Sequence, residues 1–277
     1  MKHCVLITVY KKPDVCNHLI ETMPEGWGAY VHIDAKSSIE IKDIHPRAIA
    51  FKKYKIYWGA IEHLQAFLFL MDAAAESGEN YDYYHLISGE DYWAMSPYNF
   101  DSRLQEGYSY IEVNPLPRPG WHHGGYDIVQ YRTFASRGDI RKGVLSVGNK
   151  LYKLGQLLSF SRKKIPTFPL YCGAVYCTLY KDAVIAIQSH KIARDLLKRL
   201  SQSCLAEEIF FQTVLMNTMP EKVINDCLRY IDWRVVPAPK FLQEDDLNSA
   251  VNSNSLFCRK IEEKSLTYKL DYLIQHD

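Results

Sequence analysis

The chain has 277 residues, enough for one large α/β domain or two small ones with a sizeable buried core. Hydrophobic residues make up 47% and the formal net charge is +1, which removes any electrostatic case for a nucleic-acid partner. Seven cysteines with no Cys-x-x-Cys pair give neither a disulfide framework nor a zinc ribbon, and favour free thiols in a reducing compartment.

The opening "MKHCVLITVYKK" has a short apolar run that ends in two lysines and lacks a small-residue cleavage site. It reads as a first β-strand rather than a signal peptide. No later segment approaches the ~18 to 20 apolar residues that span a bilayer, so the expectation is a soluble, cytoplasmic chain. A helix is predicted around residues 14–23, a second strand at "GAYVHID" and a third within "AIAFKKYKIYWG". "AIEHLQAFLFLMDAAAES" has apolar residues at helical spacing and closes at Gly78; "YDYYHLISGED" reads as a fourth strand ending in a turn. This β-α-β order predicts a largely parallel sheet with its ligand site off the carboxyl ends of the strands. "HIDAKS", "IYWG" and "SGEDY" then become the segments of interest.

From Arg132 to Lys164 there are nine Lys or Arg residues and one acid, Asp139. The stretch reads either as a solvated, flexible insertion or as a surface for an anionic membrane or a phosphate-bearing acceptor. A strand at "LYCGAVYCTLY" follows, then a helical stretch from about Asp182 to Leu200 and a helix that opens at "EEIFFQTVL". A short strand is expected near "LRYIDW", and the tail reads as a small helix, a turn and a closing helix.

His32, Asp34 and Lys36 alternate at a strand end, so all three can face one side of the sheet. An aspartate there can accept hydrogen bonds from a ribose or a base N–H, or simply cap the strand. "SGED" sets Glu90 and Asp91 after a glycine turn, a pattern that serves turn chemistry or ligand contact. "QEDD" (243–246) looks like a metal-binding cluster but reads better as the acidic first turn of the next helix. His122 and His123 in "WHHGG" are ligand types, yet no second metal pair stands at suitable spacing, and no metal site is assigned.

Glu207 and Glu208 front an apolar helix. At 100° per residue Glu207 falls in the middle of the face carrying Phe210, Phe211 and Val214, with Glu208 at its border. A border position open to solvent suits a group that touches substrate; a central one suits a buried structural acid. A helix amino terminus would stabilise the ionised form of either and lower its pKa.

The pieces "VHIDAKS", "YWGAIEHLQAFLFLMDAAAE", "YDYYHLISGEDY", "EEIFFQTVLMN", "LRYIDW" and "SLFCRKIEE" occur in the order seen in the core-2/I-branching glycosyltransferases. The chain resembles that family from about residue 3 to 263, as a compact bacterial-type member. The family includes β-1,6-N-acetylglucosaminyltransferases and, more distantly, peptide O-xylosyltransferases. The resemblance implies a single GT-A domain over 1–277, with a Rossmann-like, mostly parallel sheet flanked by helices. Residues 1–115 would form its nucleotide-binding half and 116–277 its acceptor and catalytic half, with 132–164 as a basic insertion.

It also implies an inverting enzyme that uses a UDP-sugar, UDP-N-acetylglucosamine first, with no divalent metal or other cofactor. The acceptor would be a glycan or a lipid-linked oligosaccharide; the positive charge of 132–164, independently of the resemblance, would offer peripheral membrane contact. By position, Arg259 and Lys260 in "FCRK" would neutralise the leaving diphosphate, with Arg229 a second candidate. Asp34 and Ile56-Tyr57-Trp58 would hold uridine and ribose, Val175 and Tyr176 would lie along the donor sugar, and Glu90, Asp91 and Glu112 would face the acceptor. The family's catalytic glutamate stands five residues before the Thr of its T-V-L, which gives Glu208. Two alternatives stay open: transfer of xylose or another hexose on the same fold, and a binding protein that has lost catalysis.

Overall fold

The computed structural model describes residues 1–234 and 238–276. Its strands are β1 (His3–Val9), β2 (Gly28–Ile33), β3 (Ile49–Phe51), β4 (Tyr83–Ser88), β5 (Asp91–Trp93), β6 (Ser109–Tyr110), β7 (Asn114–Pro115), β8 (Tyr171–Cys172), β9 (Thr178–Tyr180), β10 (Val223–Ile224), β11 (Arg229–Ile231) and β12 (Phe257–Arg259). The helices are α1 (Asp14–Thr22), α2 (Glu62–Glu76), α3 (Phe100–Arg103), α4 (Tyr126–Gln130), α5 (Gly143–Leu158), α6 (Lys181–Ser189), α7 (Lys191–Leu200), α8 (Glu207–Thr218), α9 (Glu244–Val251) and α10 (Lys264–His276).

A seven-stranded sheet runs β10-β6-β9-β4-β1-β2-β3, parallel except for β9, which is antiparallel to both β4 and β6. The expected α/β class and mostly parallel sheet are therefore what the chain builds. β1 lies inside the sheet between β4 and β2, and every one of its residues is buried, because helices cover both faces. Its side chains alternate: Cys4 and Leu6 enter one core with α2 and α6–α8, while Val5, Ile7 and Val9 enter the other with α1, α9 and α10.

A three-stranded sheet, β11-β12-β5, holds the carboxyl-terminal segment against the end of β4. In the antiparallel β12–β5 pair Arg259 lies directly opposite Asp91. The tail therefore contains a strand where only helices and a turn were expected. "FCR" is too short to announce itself, and its strand form depends on pairing with β5.

The single helix expected from Asp182 to Leu200 is two. His190 breaks it with an extended backbone, and its ring accepts the Ile192 N–H at 3.1 Å as the cap of α7. The basic insertion is not structureless either, since it carries α5.

Candidate active site

β1, β2 and β4 end in register, with Thr8 beside His32 and Ser88. The chain then turns outward at each end: Asp34 N–H donates to Val9 O at 2.8 Å, and Gly89 N–H to Thr8 O at 2.9 Å. The loops that leave these ends, 10–12, 34–37 and 89–90, border one region at the carboxyl edge of the sheet, where α/β folds bind ligands.

The loop after β2 is shaped by Asp34. Its Oδ1 accepts the N–H of Lys36 at 2.9 Å and of Ile56 at 3.1 Å, and Oδ2 pairs with Lys36 Nζ. Lys36 Nζ also donates to Ile56 O and sits 4.8 Å from the centre of the Tyr57 ring. "HIDAK" and "IYW", separated in sequence, thus form one corner. Trp58 projects from it, 45% exposed, with the Arg141 guanidinium 4.7 Å from its ring. His32 faces inward instead of joining Asp34: its Nε2 accepts the Tyr54 N–H at 3.0 Å, and burial lowers its pKa to about 4.

The turn after β4 carries an ion network. Glu90 Oε1 accepts from Tyr10 at 3.2 Å and Lys11 at 3.1 Å, and Oε2 lies 3.5 Å from Lys260 Nζ. Asp91 Oδ2 accepts the Ser88 N–H at 2.8 Å, while Oδ1 lies 3.9 Å from Arg259 Nε. Neither of those last two atoms has a hydrogen bond. Asp91 is fully buried, which corrects the expectation that it faces an acceptor: it faces Arg259.

The Arg259 guanidinium lies 3.7 Å from the centre of the Tyr176 ring, stacked as a cation on an aromatic face. Burial opposes its charge, but Asp91, Tyr176 and Glu90 outweigh that and hold its pKa above the ordinary value. Tyr176 is itself pushed up to about 12, chiefly by burial. Val175 next to it packs in the core.

Arg229 is used elsewhere. Its Nη2 donates to Leu86 O at 3.2 Å and Cys177 O at 2.6 Å, and Nη1 donates to Thr178 Oγ1 at 3.1 Å and Cys227 O at 2.8 Å. Its guanidinium covers the Phe257 ring at 4.5 Å. This arginine fastens β4 and β9 to β11, which corrects its assignment as a second diphosphate ligand.

Glu207 and Glu208 open α8. Glu207 is 5% exposed, and His63 Nδ1 lies 3.3 Å from its Oε1, as befits the buried structural acid of the pair. The His63 ring in turn stands 6.4 Å from that of Tyr176, which links the front of α8 to the arginine stack. Glu208 is partly exposed, and its carboxyl has no hydrogen bond among the described residues. Burial first, and then the Glu207 charge, raise its pKa to about 8; Arg118 opposes and Glu112 adds to the rise. The helix terminus predicts the opposite direction, and desolvation outweighs it.

Glu112 is engaged by Asn114 Nδ2 at 2.8 Å and Arg118 Nη2 at 3.0 Å on one oxygen, and by Ala174 N–H at 3.0 Å on the other. Gly173 makes that approach possible, since a Cβ there would stand 2.0 Å from Glu112 O. Its own N–H donates to Glu208 O at 2.9 Å, so the 173–176 segment is clamped between Glu112 and the first turn of α8.

His63 and Arg118 are members of this region that the sequence reading did not single out. "AIEH" offered the first as a histidine in the opening turn of α2, whereas Arg118 sits in a Pro-rich loop with no pattern around it. Of the acidic tract 243–246, Asp246 pairs with Arg234 and Lys240 at 2.6 Å each and caps α9. His122, His123 and Asp127 gather instead, with one ligand-type atom each within 4.8 Å of the others. Asp127 is the third member that spacing did not reveal.

The model of the core-2/I-branching enzymes matches residues 28–250. The chain belongs to this family. It is a glycosyltransferase, which takes a sugar from a nucleotide-sugar donor to a glycan acceptor. No curated protein matches it. Among solved structures it is similar to mouse xyloside xylosyltransferase 1 in its apo form, at 9% identity over 93% of this chain and 97% of that one. The TM-score is 0.37, too low to carry an argument.

Proposed function

We propose that this branching-family enzyme inverts configuration, uses UDP-N-acetylglucosamine and needs no divalent metal. Glu208 accepts the proton of an acceptor hydroxyl while that oxygen attacks the anomeric carbon. The bond from that carbon to the diphosphate breaks, UDP leaves, and a β-linkage results. Arg259 and Lys260 meet the charge that grows on the diphosphate, a forked donor beside a point charge. Asp34 with the 56–58 corner receives uridine and ribose, and Tyr176 lies along the sugar. Glu112, through the 173–176 segment, shapes the acceptor side, and Glu90 holds Lys260.

The observation that carries this reading is the state of Glu208. A carboxyl without a hydrogen bond, partly open to solvent and with its pKa pushed up to about 8, is a strengthened base that becomes free to accept a proton as pH rises toward 8. Arg259 complements it, a stacked cation that makes no hydrogen bond among the described residues and faces Asp91 across 3.9 Å.

The test is release of UDP from a panel of UDP-sugars, with and without simple glycan acceptors. Acceptor-stimulated release from UDP-N-acetylglucosamine is expected. Preference for UDP-xylose would change the donor, and affinity without release would leave a binding protein.

A further inference from the structure

α5 is built inside out. Asn149 and Gln156 are its buried residues, while Val144, Val147, Leu151, Leu154 and Leu158 are exposed. The polar pair holds the helix in place. Phe134 N–H donates to Asn149 Oδ1 at 3.1 Å, Arg132 N–H donates to Gln156 Oε1 at 3.0 Å, and Gln156 Nε2 returns a bond to Arg132 O at 2.9 Å. At 100° per residue the five apolar positions span about 80°, on the side about 180° from Asn149 and Gln156. The outward orientation is thus fixed by specific bonds on the opposite face.

The stripe is fully presented. Val144 is 89% exposed, Leu158 69%, and Phe160, just past the helix, 88%. Contiguous large apolar side chains of this kind mark a contact surface. The stretch that carries it is basic: Arg141, Lys142, Lys150, Arg162 and Lys164, on the helix or within six residues of its ends, are all exposed. The lone acid between Arg132 and Lys164, Asp139, is paired with Arg141 at 2.9 Å. The excess of positive charge is local, since the whole chain carries only +1. An apolar stripe in a cationic stretch complements the anionic headgroups and acyl boundary of a lipid bilayer. At 16 residues α5 is short for crossing, and no helix of the described residues is long and apolar enough to span a membrane, so α5 would lie in the interface plane.

We propose that α5 and Phe160 dip into the surface of an anionic lipid bilayer and hold the enzyme there. The proposal goes beyond sugar transfer and depends on neither Glu208 nor the identity of the donor.

The test is co-sedimentation with vesicles of phosphatidylcholine alone or mixed with phosphatidylglycerol, at low and high salt. The wild-type chain is expected on the mixed vesicles, at least tenfold less on the neutral ones, with loss at high salt. Leu151→Ser/Leu154→Ser should cut binding at least tenfold with little change in melting temperature, because both side chains are at least half exposed. Phe160→Ser, outside the helix, should weaken binding independently. Absence of wild-type binding to the mixed vesicles overturns the proposal, as does binding undiminished in both variants. A dimer in light scattering that the double substitution dissolves, with no vesicle binding, assigns the stripe to a second copy and also overturns it.

Discussion

Glu207 and Glu208 are consecutive at the front of α8, yet only Glu207 has a partner: His63 Nδ1 stands 3.3 Å from it, while the Glu208 carboxyl is unpaired among the described residues and titrates about 8. One acid is tied into the scaffold and its charge makes the other a stronger base. The division follows from helical geometry, which buries Glu207 and leaves Glu208 at the rim of the apolar face.

The raised pKa predicts the pH profile. Below about 8 the free enzyme is mostly protonated at Glu208, so kcat/KM should rise about tenfold per pH unit from pH 6 and level off above 8. Stability should move the other way. Between 4.5 and about 8 the unfolded chain has released this proton and the folded chain has kept it, so stability falls as pH rises through that window. At ~1.4 kcal/mol per unit the effect reaches a few kcal/mol. Glu208→Gln should therefore melt above wild type at pH 8, with the difference closing near pH 4.5. A gap independent of pH contradicts the assignment.

Arg259→Lys retains a positive charge but loses the fork and the stack on Tyr176. Transfer should fall about 100-fold and UDP should bind more weakly, read by steady-state kinetics and calorimetry. Unchanged kcat/KM in this variant would put the diphosphate somewhere else.

Arg229→Met should behave differently. It removes the side-chain donor shared by the carbonyls of Leu86, Cys177 and Cys227, of which Cys177 O keeps the Leu86 N–H, at a cost of ~3 kcal/mol. A lower melting temperature with UDP affinity retained by the folded fraction is expected. Lost affinity without lost stability would return Arg229 to the phosphate site.

Activity should survive excess chelator. If it vanishes and returns with manganese, the first set to replace is His122, His123 and Asp127, since Asp246 is already neutralised by Arg234 and Lys240.

The central sheet was legible because β1, β2 and β4 are apolar runs closed by polar turns, and their ends point to the loops that carry Asp34 and Glu90. What local pattern missed depended on distant partners. β12 becomes a strand only against β5. The α6–α7 break uses a histidine cap, with neither glycine nor proline to announce it. The outward face of α5 is hidden by the rule that helices bury their apolar side, here reversed by Asn149 and Gln156. The direction of the Glu208 shift was set by burial and Glu207, against the helix terminus.

The most direct measurement compares Glu208→Gln with wild type in two assays on one preparation, UDP affinity and transfer to acceptor. The predicted result is affinity within about threefold and transfer reduced ~10³-fold. Transfer near the wild-type rate would contradict Glu208 as the base.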